Sequence, residues 1–106
     1  MAYDEELAAR VRDHLSGEPG LTERRMFGGL AFLVDGHMAV VVGSHGQLMA
    51  RVPPERTEEL LREPHTEPTV MNGRALRGWV DVQPAQADVR RWADLGVSYA
   101  RSLPPK

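Results

Sequence analysis

The chain has 106 residues, no cysteine and a formal net charge of −2. That length sets one domain, expected to bury roughly 60 to 70% of the surface its unfolded chain exposes. Without cysteine there is no disulfide framework, thiolate chemistry or cysteine-ligated zinc, and a near-neutral balance gives no global pull toward nucleic acid. No apolar run approaches the roughly 20 residues of a membrane span, and the acidic, amphipathic start MAYDEELAAR lacks a signal pattern. A cytoplasmic, membrane-free domain is expected.

Leu7, Ala8, Val11 and Leu15 recur at helical spacing within Tyr3 to Ser16, with Asp4, Glu5 and Glu6 at the positive end of the helix dipole. Gly17 and Pro19-Gly20 stop this helix, and Thr22 to Phe27 reads as a first strand running into Gly28-Gly29, a pair suited to a bulge or tight turn. Leu30 to Val34 and His37 to Val42 flank Asp35-Gly36, the strongest short-range hairpin signal, because both central turn positions need positive φ. Gly43-Ser44-His45-Gly46 then turns the chain into a fourth strand, Gln47 to Val52.

Pro53-Pro54 ends that strand and pre-sets φ for a short helix, Glu55 to Arg62, closed by Pro64. Thr69 to Met71 and Leu76 to Val82 read as a second strand pair about Asn72-Gly73, with Val80 and Val82 on one face and Trp79 and Asp81 on the other. Pro84 is expected to open a last helix in which Ala85, Val89, Trp92, Ala93, Gly96, Tyr99, Ala100 and Leu103 share a stripe; Ser102 to Lys106 reads as a fraying tail. The order α-β-β-β-β-α-β-β-α, with no alternating crossovers, predicts an α+β domain with an antiparallel sheet.

The central strands are apolar on both faces. Leu30, Phe32 and Val34 oppose Ala31 and Leu33, and strict alternation sets Met38, Val40 and Val42 against Ala39 and Val41. A sheet covered on one face only should be polar on the other, so something seals the second face: a helix, a curl of the sheet, or a homodimer or partner protein. Met26, Met38, Met49 and Met71 suit an adaptable surface.

Residues able to do chemistry are scattered. His14, His37, His45 and His65 show no metal-ligand spacing, so neither a metal nor another cofactor is expected. Ser16, Ser44 and Ser102 lack the strand-turn-helix setting of a nucleophile elbow, and the carboxylates Asp4, Glu5, Glu6, Glu55, Glu58, Glu59 and Glu63 read as solvated helix faces. No enzyme is expected. Arg24, Arg25, Arg51, Arg74 and Arg77 lie on or beside strands, either paired with the plentiful acids or gathered as a surface for phosphate or carboxylate.

The run Arg25-Met26-Phe27-Gly28-Gly29, the hairpin with its Asp-Gly turn, Leu48 to Val52, then Gly73-Arg74 and Gly78-Trp79-Val80 before a closing helix together resemble the TfoX N-terminal domain family over nearly the whole chain. The resemblance implies an antiparallel sheet with helices, and kinship with the N-terminal half of bacterial regulators of competence for DNA uptake. Those regulators carry a second, C-terminal domain, whereas here the third helix closes the sequence, so a stand-alone N-terminal domain is expected. The function expected is protein–protein contact in a regulatory setting, through a surface drawn from Arg25, Phe27, Ala39, Val41, Arg51, Arg74 and Trp79. A nucleic-acid module using the strand arginines, or a small-ligand or enzymatic domain with a pocket near Gly28-Gly29, are the alternatives.

Overall fold

Asp4 sets the first boundary in the computed structural model, which describes residues 3–105; Lys106, in the expected tail, lies outside them. The Asp4 carboxylate accepts from the Leu7 backbone N–H at 3.1 Å and starts α1 (Glu5–His14), which buries Leu7, Ala8 and Val11. Three hairpin strands follow, β1 (Leu21–Met26), β2 (Gly29–Val34) and β3 (His37–Val42), and then β4 (Leu48–Arg51). The helix expected over Glu55 to Arg62 is shorter. A 3-10 turn at Pro54–Arg56 leads into α2 (Thr57–Leu60), and Arg62 and Glu63 close it with bonds of turn spacing to Glu59 and Leu60.

Next come β5 (Thr66–Met71), β6 (Arg74–Val82) and α3 (Val89–Ser102), completing the expected order. β5 begins before Thr69 and includes Pro68; as the edge strand of the antiparallel sheet β1-β2-β3-β4-β6-β5 it has no second neighbour needing the missing N–H. Pro84 does not open the last helix. Gln83 to Ala87 close a turn on the Gln83 carbonyl, and Asp88 caps α3 by accepting from Arg91 N–H at 3.1 Å, which leaves Ala85 outside it.

The main core lies between the helices and one sheet face. Leu30, Phe32, Val34, Val40, Val42, Leu48, Ala50, Val80 and Val82 are buried with Val11 of α1 and Trp92, Ala93 and Ala100 of α3. Each large side chain so buried contributes about 1.5–3 kcal/mol of transfer free energy. Around the rim the Arg12 guanidinium grips Glu23 at 2.7 and 2.9 Å, and that of Arg91 grips Glu63 at 2.6 and 2.7 Å, tying α1 to β1 and α3 to the segment after α2. These bonds hold both glutamate pKa values below the usual carboxylate value.

One register shift redistributes the apolar residues. Phe32 pairs with Val40 but Leu33 pairs with Met38, so Ala39 is the extra residue of a β-bulge. The alternation expected for β3 therefore breaks. Met38 stands with Leu33 and Val41 on the second face, while Ala39 joins the main core beneath Gly96 of α3. This corrects the placement of Ala39 on an interaction surface: the bulge turns it inward.

Candidate interaction cleft

Cross-strand partners share a sheet face, so the second face can be read from register. It carries Arg24 and Met26 from β1, Ala31 and Leu33 from β2, Met38 and Val41 from β3, Met49 and Arg51 from β4, and Trp79 and Asp81 from β6. Ala31, Leu33 and Val41 are at most 4% exposed, although the main helix contacts lie on the opposite face. Met26, Met38, Met49 and Trp79 pack over them.

The rest of the shielding comes from curl. A cleft of about 170 Å³ is lined by Phe27 and Gly29 from the first hairpin, by Ser44, His45 and Gln47 after β3, and by Thr69, Val70 and Met71 from β5, with Val41, Met49 and Asp81 between them. Contributions from both ends of the strand order meet around one opening, so the sheet bends toward its second face. The β1–β2 turn also leans on the β3–β4 turn. A Cβ at Gly28 would stand 3.3 Å from Ser44 Cβ, and one at Gly29 only 2.4 Å from the Val42 carbonyl oxygen.

Phe27 and Val70 at this opening are the two large hydrophobic side chains exposed among the described residues, at 71% and 59%. The backbone beneath Phe27 is unusual. Three two-residue turns among the described residues use paired positive φ values: Asp35-Gly36 at 51° and 86°, Asn72-Gly73 at 52° and 76°, and Phe27-Gly28 at 54° and 73°. Aspartate and asparagine tolerate that region; phenylalanine, bulky and without a polar group to bond locally, pays for it with strain.

A family model of the TfoX N-terminal domain matches residues 13–100, a span that contains the whole cleft. The chain belongs to the TfoX N-terminal domain family. No curated protein and no solved structure matches it.

Within this TfoX N-terminal domain, the residues singled out from sequence take several positions. Phe27 and Val41 line the cleft. Arg51 and Trp79 lie farther along the same face, where the Arg51 guanidinium donates to the Met38 carbonyl at 3.3 Å and sits 5.9 Å from the Trp79 ring centre and 5.4 Å from that of Tyr99. That arrangement braces the end of β4. Arg25 and Arg74 are exposed, as are Arg24 and Arg77. None of these four, nor Arg51, forms an ion pair among the described residues; the ion pairs there join Arg12, Arg56, Arg91, Arg101 and His14 to Glu18, Glu23, Asp35, Glu59, Glu63 and Asp94.

Asp81 is the charged group inside the cleft, and sequence reading placed it on the correct face without assigning it a role. Its Oδ1 accepts a 2.6 Å hydrogen bond from the buried Thr69 hydroxyl. Burial raises its pKa above the ordinary aspartate value, opposed by the Thr69 bond and assisted by the charge of Glu67, its cross-strand partner. The folded state thus holds a proton that the unfolded chain releases first, so ionising Asp81 costs stability as pH rises toward its folded pKa and the cost persists above it. Glu23 and Glu63 work the other way, stabilising above their unfolded pKa and losing that contribution as pH falls through the folded value. They are common to the wild type and Asp81→Asn. Urea unfolding of the two proteins should therefore coincide in acid and separate toward neutral pH with the variant more stable; a constant gap would refute the assignment.

Among the described residues, no hydroxyl, imidazole and carboxylate of the cleft are joined in one hydrogen-bonded chain. Ser44 Oγ lies 3.3 Å from His45 Nδ1, but both sit in one exposed turn and no carboxylate orients the ring among the described residues. No group of three His, Cys, Asp or Glu side chains is placed to hold a metal among the described residues. Nor is any described helix long and apolar enough to cross a membrane.

Proposed function

We propose that this domain acts by protein–protein contact in a regulatory setting, without catalysis, and that the partner docks on the curled second face around the cleft. Membership in the TfoX N-terminal domain family suggests a competence-regulator-like domain. The observation that carries the docking reading is the exposed Phe27 on a left-handed backbone, beside exposed Val70 and over a methionine-lined apolar floor. An aromatic anchor surrounded by adaptable side chains is the arrangement of an interface hot spot. A 170 Å³ cleft is below the roughly 300–1,000 Å³ typical of small-molecule sites, which favours a side chain of a partner over a metabolite.

The test is capture by the purified domain against a Val70→Thr variant, which retains a β-branched strand residue. Wild type should retain a defined partner from cells of the source organism, and the variant should lose most of it with an unchanged circular dichroism spectrum. Equal capture by both proteins would overturn the reading. One competing reading, a nucleic-acid surface, draws on the exposed Arg24, Arg25, Arg74 and Arg77, which form no ion pairs among the described residues but do not share one sheet face, Arg24 standing opposite Ala31 and Arg25 opposite Leu30. That reading requires affinity that falls steeply with added salt.

A further inference from the structure

The cleft joins an apolar wall to a single anionic acceptor with a defined number of open positions. Val41, Met49, Met71, Phe27 and Val70 supply hydrocarbon contact, and Asp81 stands among them. Its Oδ1 is engaged by Thr69, while Oδ2 has no hydrogen-bond partner among the described residues. The charge of Glu67, paired across from Asp81, adds to the negative potential at this end of the face.

From this geometry we infer that the cleft receives a lysine side chain from an extended segment of a partner protein, its ammonium bonding Asp81 Oδ2 and its methylene stem lying against Val41 and Met49. The inference rests on the docking reading above. Lysine fits better than arginine for a geometric reason. A guanidinium binds carboxylate best through two parallel in-plane bonds, one to each oxygen, and the Thr69 hydroxyl, 2.6 Å from Oδ1, already takes one of that oxygen's two lone pairs and narrows the approach of a planar fork. An ammonium can bond a single oxygen without a planar fork, leaving its other N–H groups to water at the open cleft mouth, and carries a flexible apolar stem suited to this wall. The volume is also that of one long side chain rather than a folded ligand. The occupant proposed is a different protein, residues 3–105 of this chain containing no lysine.

The probe is the capped tripeptide acetyl-Leu-Lys-Leu-amide, titrated into nitrogen-15-labelled domain. Amide shifts should concentrate at Val41, Met49, Thr69 and Asp81. Affinity should fall at least about tenfold for the same peptide carrying Nε-acetyl-lysine, and by a similar factor for Asp81→Asn, as expected when one member of a partly desolvated charge pair is removed. Equal affinity in either comparison overturns the inference, as do shifts confined to another surface. Binding of n-butylamine as tight as the peptide also overturns it, by making this a small-amine site. If Asp81→Asn keeps the captured partner that Val70→Thr loses, docking stands and the lysine assignment falls. If Val70→Thr keeps it, docking itself has failed.

Discussion

Gly96→Ala should destabilise the domain by about 2–3 kcal/mol and lower its melting temperature by on the order of 10 °C, against the helix-propensity trend. Alanine in a helix interior is ordinarily about 1 kcal/mol better than glycine. Here the new Cβ would sit 2.2 Å from the Ala39 carbonyl oxygen and 2.9 Å from its carbon, with Val40 Cγ1 at 3.0 Å. The two nearest obstructing atoms are backbone, held in place by the β2–β3 ladder on either side of the bulge. No rotamer change relieves the clash, so α3 must lift from β3, loosening the packing of Trp92, Ala93, Val97 and Ala100, all in the last helix and all buried. Differential scanning calorimetry provides the check. A melting temperature equal to or above that of the wild type would show that α3 does not rest on the Ala39 carbonyl.

Gly96 also shows where sequence reading stops. Its place on the apolar stripe of the last helix was legible, but the reason for a glycine there lies in a carbonyl far away in sequence, exposed by a bulge that HMAVVV does not announce. The hairpins were legible because Asp35-Gly36 and Asn72-Gly73 satisfy a local backbone requirement with local residues. The start of α3 was misread because two local signals competed. Proline at a first helical turn is permissive, whereas the Asp88 carboxylate makes a bond that defines the cap. For the candidate site, the doubly apolar strands announced a second shielded face, but not how it is shielded. Curl accumulates over the strands until β5 stands beside the Phe27 turn, and no short segment encodes that sum. Asp81 could have been noticed as the one carboxylate inside the alternating Trp79-Val80-Asp81-Val82 pattern, although its value depends on Thr69, supplied from the neighbouring strand.

Phe27→Asn should move stability and partner binding in opposite directions. Asparagine is favoured at the first central position of a type I′ turn, and a strained left-handed residue costs on the order of 1–3 kcal/mol, so relieving part of that strain should stabilise the domain by about 1 kcal/mol. Little burial is lost in exchange, because Phe27 is already 71% exposed. The chain's own Asn72-Gly73 turn, with φ values of 52° and 76° against 54° and 73° at Phe27-Gly28, shows that asparagine fits this backbone. Binding should behave differently. If the exposed ring enters a pocket on the partner, its loss costs on the order of 2 kcal/mol or more, some thirtyfold in affinity. Equilibrium unfolding and binding to the captured partner measure the two effects on the same preparation. A residue kept only for folding cannot give a variant that is both more stable and unable to bind, so a fall in stability with binding unchanged would assign Phe27 to the fold and remove the main support for a docking surface at this turn.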